Sequence, residues 1–152
     1  MRHGFSKRFW NDGSKNNGDT YEGDWKDDKR TGRGVYRWAD GEVYEGGYLE
    51  GKKHGKGWAK WANGNSYYGE WSNHKAHGFG VGLWKDGAVY VGQFRDDDKE
   101  GEGVYFLPDG RRYQGPWKGD KPHGVGVFTY AGKKEKIRYE KGEVKQVLEI
   151  LN

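Results

Sequence analysis

Residues 21–43 read YEGDWKDDKRTGRGVYRWADGEV, and the same arrangement returns four more times without an insertion or a deletion. The opening tyrosine recurs as Tyr21, Tyr44, Tyr67, Tyr90 and Tyr113. Two places on stand Gly23, Gly46, Gly69, Gly92 and Gly115, and an aromatic closes each short run as Trp25, Tyr48, Trp71, Phe94 and Trp117. A G-x-G pair follows at Gly32/Gly34, Gly55/Gly57, Gly78/Gly80, Gly101/Gly103 and Gly124/Gly126. Then come Trp38, Trp61, Trp84, Leu107 and Tyr130, most of them followed by x-[DN]-G. A fixed period of 23 residues marks a repeat architecture.

Within one copy the conspicuous residues lie two apart, as in Tyr21-x-Gly23-x-Trp25 and Gly32-x-Gly34-x-Tyr36-x-Trp38. A period of two places them on one face of a strand. The charged stretch KDDKRT separates the two runs, and Ala39-Asp40-Gly41 supplies a turn signal after the second. Each copy is therefore expected to be a β-hairpin with a tight return to the next. Helix is a poor reading, because glycine costs about 1 kcal/mol per residue inside one. The expected fold is all-β, an elongated single antiparallel sheet of about twelve strands in stacked hairpins. Glycines sharing a face with aromatics leave bare backbone over which a ring can lie, and Trp61 is expected to lie on such glycines.

The pattern Y-E-G-D-W-x-D-x-K-R-x-G-x-G-V-Y-x-W-A-D-G resembles a MORN repeat, the membrane occupation and recognition nexus motif. The likeness covers about residues 19–132 as five copies starting near 21, 44, 67, 90 and 113. It implies a twisted sheet of successive hairpins with an aromatic-lined groove. It also implies scaffolding, protein binding or membrane association rather than catalysis, in cytoskeletal, ciliary or axonemal, or membrane-associated assemblies.

Length points to one domain spanning residues 1–152. Val, Leu, Ile and Phe together make only 23 residues, about 15%, a share associated with disorder. A net charge of only +4 and 19 tryptophans and tyrosines oppose that reading. Rings replace aliphatic residues as the buried material, and stability should come from contacts between neighbouring repeats. The chain has no cysteine, hence no disulfide framework or thiolate metal site. It contains no apolar run of the ~20 residues that a spanning helix needs. MRHGFSKRFW lacks the apolar region of a signal peptide. A soluble cytoplasmic location, at the cytoskeleton or a cilium, is the simplest expectation.

Both ends depart from the repeat. Residues 3–13 align with 77–87 as a second-strand half-repeat that would cap the sheet, followed by a longer loop at 14–19. The C-terminal cap, 134–152, leaves the register. Residues 134–139 read as a strand with one deletion and 140–142 as a turn. Residues 144–151 fit a strand better than a helix, although Val144, Val147, Leu148 and Leu151 would share a helical face. Degenerate copies at both ends suit a complete protein. The charged stretches 26–33, 49–56, 72–77, 95–100 and 118–123 are expected as solvated loops along one edge.

Chemistry does not converge. His54, His77 and His123 occupy one repeat position, so neighbouring copies would sit about 10 Å apart, too far to share a zinc ion with ligands at ~2.1 Å. No phosphate loop or nucleophile motif is present, and Ser72-Asn-His-Lys75 is a chance match in a charged stretch. Basic and acidic residues are interspersed, 27 against 23, which disfavours nucleic acid despite a pI of 9.1. The expectation is a non-enzymatic scaffold without cofactor or metal, with a protein segment as partner. The groove residues expected to bind it are Tyr44, Tyr67, Tyr90, Trp61 and Trp84. Tyr21, Gly23, Trp25, Gly32, Gly34, Trp38, Tyr113, Gly115 and Trp117 are expected as structural repeat positions. The alternatives are a membrane-tethering module with weak binding to acidic lipid, or a regulatory module of a larger enzyme.

Overall fold

The computed structural model describes residues 1–151; residue 152, the last of the expected C-terminal cap, lies outside the described residues. Every regular element among them is a strand, fourteen in number, and no helix occurs. The chain groups into two compact units, Met1–Lys75 and a second beginning at Ala76.

The first unit runs β1 (Gly4–Phe9), β2 (Thr20–Lys26), β3 (Lys29–Arg37), β4 (Val43–Leu49), β5 (Lys52–Lys60) and β6 (Ser66–Ser72). Each pairs antiparallel with the next. The N-terminal half-repeat is thus β1, laid against β2 as expected. The second unit runs β7 (Lys75–Leu83), β8 (Val89–Arg95), β9 (Asp98–Phe106), β10 (Arg112–Lys118), the two-residue β11 (Lys121–Pro122), β12 (Gly124–Tyr130), β13 (Lys133–Glu140) and β14 (Glu143–Leu151). It too is an antiparallel meander, with β11 paired only to the end of β10. The break at His123 and the terminal hairpin raise the strand count above the expected twelve. The C-terminal segment is a strand, and its turn falls at Lys141–Gly142 as expected.

The charged stretches are not loops. Within each unit strand pairing runs through them to tight turns of two residues, Asp27-Asp28, Glu50-Gly51, Asp96-Asp97 and Gly119-Asp120, all with positive φ, which Asn73 and His74 share. Turns with both central residues left-handed match the twist of paired strands, and Asp, Asn, His and Gly tolerate that conformation best. The return turns are the x-[DN]-G signals. Gly41 N–H donates to Trp38 O at 3.1 Å, and the Asp40 carboxylate accepts from Glu42 N–H at 2.9 Å. Asn63, Asp86 and Asp109 repeat that side-chain bond.

The two glycines of each G-x-G do different work. Gly32, at φ 57°, sits where the β2–β3 register shifts by two residues, a bulge position that suits glycine. Gly34 instead lies under a ring: a Cβ there would collide with Tyr21. Gly57 lies likewise under Tyr44, Gly103 under Tyr90 and Gly126 under Tyr113. The rings tiled over these glycines are thus the opening tyrosines, while Trp84, at the Trp61 position of its repeat, lies against Gly82. Each tyrosine is buried, and its hydroxyl donates to the carbonyl three residues on, as from Tyr44 to Gly47 O at 2.8 Å and from Tyr90 to Gln93 O at 2.8 Å. Each also stands edge-to-face between two closing rings. Tyr44 meets Tyr48 at 5.2 Å and Trp71 at 5.2 Å. Tyr90 meets Phe94 at 5.0 Å and Trp117 at 5.3 Å. Such contacts are worth about 0.5–1.5 kcal/mol each beyond burial. The degenerate end keeps this arrangement, because Tyr139 takes the closing place against Tyr113 at 5.1 Å.

Candidate functional site

The ring face of each unit carries a second layer above the buried tyrosines. It begins from strand register: Arg30 is the cross-strand partner of Trp25, Lys53 of Tyr48 and Lys99 of Phe94. A residue paired with a closing aromatic shares its face, so these cations point onto the rings rather than into solvent. In the first unit the Arg30 guanidinium lies over Tyr21, Tyr36 and Tyr48 at 5.8, 5.0 and 5.2 Å. The Lys53 ammonium lies over Trp38, Tyr44 and Trp71 at 5.0, 5.2 and 4.9 Å. In the second unit Lys99 lies over Trp84, Tyr90, Tyr105 and Trp117 at 4.9–5.9 Å. Ring faces attract cations at these distances, by about 0.5–2 kcal/mol according to desolvation. The same repeat position holds Ala76 and Pro122 in the other two copies.

Counter-charge differs among the three cations. Lys99 Nζ reaches Asp120 Oδ1 at 3.3 Å. The residue 21 places after Lys53 is His74, whose Nδ1 accepts Lys53 N–H at 3.3 Å. Burial first, and then the Lys53 charge, hold the His74 imidazole below its ordinary pKa. The residue 21 places after Arg30 is Gly51, whose carbonyl accepts one guanidinium N–H at 3.0 Å.

Of the expected groove residues, Tyr44, Tyr67 and Tyr90 are 0%, 3% and 0% exposed. Their place beneath the closing rings removes them from any contact surface of the folded protein. Trp61 and Trp84 are half-exposed, and so is Trp38, which was expected to be only structural. The accessible part of the ring face in the first unit therefore includes Trp38, Trp61 and Trp10, and in the second Trp84 beside the half-exposed Tyr105, and Tyr139. The structural positions Tyr21, Trp25, Tyr113 and Trp117 are all buried, at 6% exposure or less. Gly23, Gly34 and Gly115 are buried with them, whereas Gly32 is exposed at its bulge.

Burial also sets the acid chemistry of these rings. It pushes the Tyr21 hydroxyl up to about 12. Tyr44, Tyr90 and Tyr113 move upward for the same first reason. Tyr36 rises through burial and through its 2.6 Å hydrogen bond to Asp19. Asp19 is the one charged side chain in the buried core among the described residues, and it also accepts Ala39 N–H at 2.9 Å. The sequence reading left it at the end of a loop.

Tyr36 has the Asp19 carboxylate beside it at 2.6 Å, and that bond raises its pKa, holding the proton on the phenol. Among the described residues no group of three or more His, Cys, Asp or Glu side chains could hold a metal ion. His77 faces Asp96 at 3.5 Å, and His123 accepts Lys141 N–H at 3.3 Å. The opposite face of the first unit carries Trp58 and, across from it, Tyr68 at 57% exposure.

A protein-family model described as MORN repeat matches residues 21–43, 44–66, 67–89, 90–111 and 113–133. No curated protein matches the sequence.

Proposed function

Because this chain belongs to the MORN-repeat family, whose repeats are protein- and membrane-interaction modules, we propose that it is a non-catalytic scaffold that holds a helical or extended segment of a partner protein on its ring face. The observation that carries this reading is the pairing of half-exposed tryptophans with caged cations at repeating positions. Tryptophan, tyrosine and arginine are the side chains most enriched at binding hot spots. Here the tryptophans open hydrogen-bonded return turns, as where Trp38 N–H donates to Glu42 O at 3.0 Å, and a backbone already ordered lowers the cost of association. Trp38 with Lys53 forms such a set in the first unit, with the half-exposed Trp61 as a further ring, and Trp84 with Lys99 forms one in the second. The assembly served is cytoskeletal, ciliary or axonemal, or membrane-associated.

The test uses variants that leave the tyrosine tiles alone. Trp38→Gln with Trp61→Gln should keep the melting profile of a folded sheet and lose the cross-linked partners of the parent protein by tenfold or more. Tyr68→Ser, on the opposite face, should keep them. Retention of the same partners by the folded double variant would defeat the reading. Acidic liposomes supply the other arm. Each basic residue near an anionic surface contributes about 1 kcal/mol, and at a net charge of +4 with acids interspersed flotation at physiological salt should be negligible. Tight, salt-resistant flotation would replace the protein reading with membrane tethering.

A further inference from the structure

A pocket of about 240 Å³ opens at the β1 end of the first unit, with Arg8, Lys29 and Arg30 in its lining against a single carboxylate, Asp28. Lys29 is committed to Glu50 at 3.5 Å, and the Asp28 carboxylate accepts Arg2 N–H at 2.7 Å. The two arginines are held differently. Arg8 stacks its guanidinium on Trp10 at 4.4 Å, and Trp10 also lines the pocket. Arg30 lies on its three rings and gives one N–H to Gly51 O. Among the described residues neither guanidinium is in an ion pair, and both arginines are half-exposed. A guanidinium has five N–H donors in a planar fork, so most of the Arg30 donors remain for another acceptor.

The fourth repeat shows what that acceptor is. There the caged cation, Lys99, meets the carboxylate of Asp120. In the first repeat the position of Asp120 is taken by Gly51, which has no side chain to offer. We infer that the pocket between Arg8 and Arg30 is an oxyanion site, taking a carboxylate or phosphoryl group with its carbon flank against Trp10. Arginine suits such groups because the fork matches two oxygens at once. The volume falls below the ~300–1,000 Å³ of sites for whole drug-sized ligands, which fits a single anionic group. Occupancy here needs no partner segment on the rest of the ring face, so the site stands or falls separately from the scaffold reading.

The experiment follows the tryptophan indole signals of the full chain by NMR while inorganic phosphate, phenyl phosphate or benzoate is added at constant ionic strength, with chloride as control. Saturable shifts at Trp10 and Trp25 are expected, half-complete at about 1 mM. The phosphate and benzoate arms separate phosphoryl from carboxylate. Arg30→Lys should fold, because lysine occupies the equivalent place at Lys53 and Lys99, and should weaken binding about tenfold through loss of the fork. Arg8→Ala should weaken it similarly. Gly51→Asp gives the chain its own carboxylate. The position has open space and φ 84°, and aspartate already adopts such angles at Asp97 and Asp120. That variant should abolish the shifts. Shifts matched by chloride, or unchanged in folded Arg30→Lys and Gly51→Asp, would overturn the site.

Discussion

The hairpin β4–β5 and the hairpin β13–β14 are hydrogen-bonded ladders of similar length, yet they bury different things. The first places Tyr44, Tyr48 and Ala59 in the core at 5% exposure or less. The second buries Ile137 alone, and its last strand leaves Val144, Val147 and Ile150 at 55%, 51% and 66% exposure. The inner ladder carries one register shift, at the glycine bulge, and the terminal ladder carries two. Both are strands, so pairing of the backbone does not by itself require ring burial. What the inner repeats add is the tyrosine laid over glycine and clamped by two closing rings. Their stability should reside in that tile, and the terminal hairpin should behave as a strand pair lacking it.

The largest effect should come from filling the space under a tile. A Cβ at Gly57 would meet the Tyr44 ring and hydroxyl, so Gly57→Val must displace a fully buried tyrosine. Overpacking of this kind costs about 3 kcal/mol, which at this chain length lowers the melting temperature by about 10 °C. Tyr44→Ala should cost at least as much through the cavity it leaves. Tyr44→Phe keeps the ring and loses only the bond to Gly47 O, so about 1 kcal/mol is expected. If Gly57→Val melts with the parent in a thermal scan, the tile is not what stabilises the inner repeats.

The period and the hairpins were legible because each rests on residue types with one strong backbone or packing preference. The caged cations were not. Arg30, Lys53 and Lys99 sit in charged stretches whose composition says solvated loop. Their place over the rings follows from a turn of two residues, which sets positions five apart across from each other, as Trp25 is from Arg30. The sequence hint was present in Asp27-Asp28 and Asn73-His74, residues that accept left-handed geometry. The division between buried and half-exposed rings was likewise hidden. Tyr44 and Trp61 share the same alternation, and only the edge-to-face clamp by neighbouring closing rings separates them. Asp19 escaped notice because its partner, Tyr36, lies 17 residues away in sequence.

An intermediate effect should appear at alkaline pH and should follow the tiles. Below pH 10 tyrosine is protonated in both folded and unfolded chains. Above it the unfolded chain ionises, while Tyr21, pushed up to about 12 by burial, keeps its proton when folded. The folded state then holds more protons than the unfolded state, so stability falls as pH rises from 10 through 12. The upward shifts of Tyr44, Tyr90 and Tyr113 act in the same direction. Denaturant midpoints should therefore decline steeply across that window. In Tyr44→Phe, with one ionising group fewer, the decline should be shallower. An equal slope in the two proteins would mean that the tile tyrosines do not hold their protons on folding.

The smallest effect belongs to the terminal strand. β14 has no buried residue, and Ile150 stands mostly in solvent. Removing apolar surface there loses little, because little was taken from water on folding. Ile150→Thr keeps the β-branch that suits a strand and should move stability by less than about 0.5 kcal/mol. Local opening should also be cheap where few apolar contacts must be broken. The amide protons of β14 should exchange with solvent well before those of β4, and Ile150→Thr should leave the exchange of β4 untouched. If β14 is as protected as β4, or if Ile150→Thr lowers the melting temperature as far as Gly57→Val, then the strands are held by something common to both hairpins. The ladder itself, rather than the tyrosine tile, would then be the main source of order in the sheet.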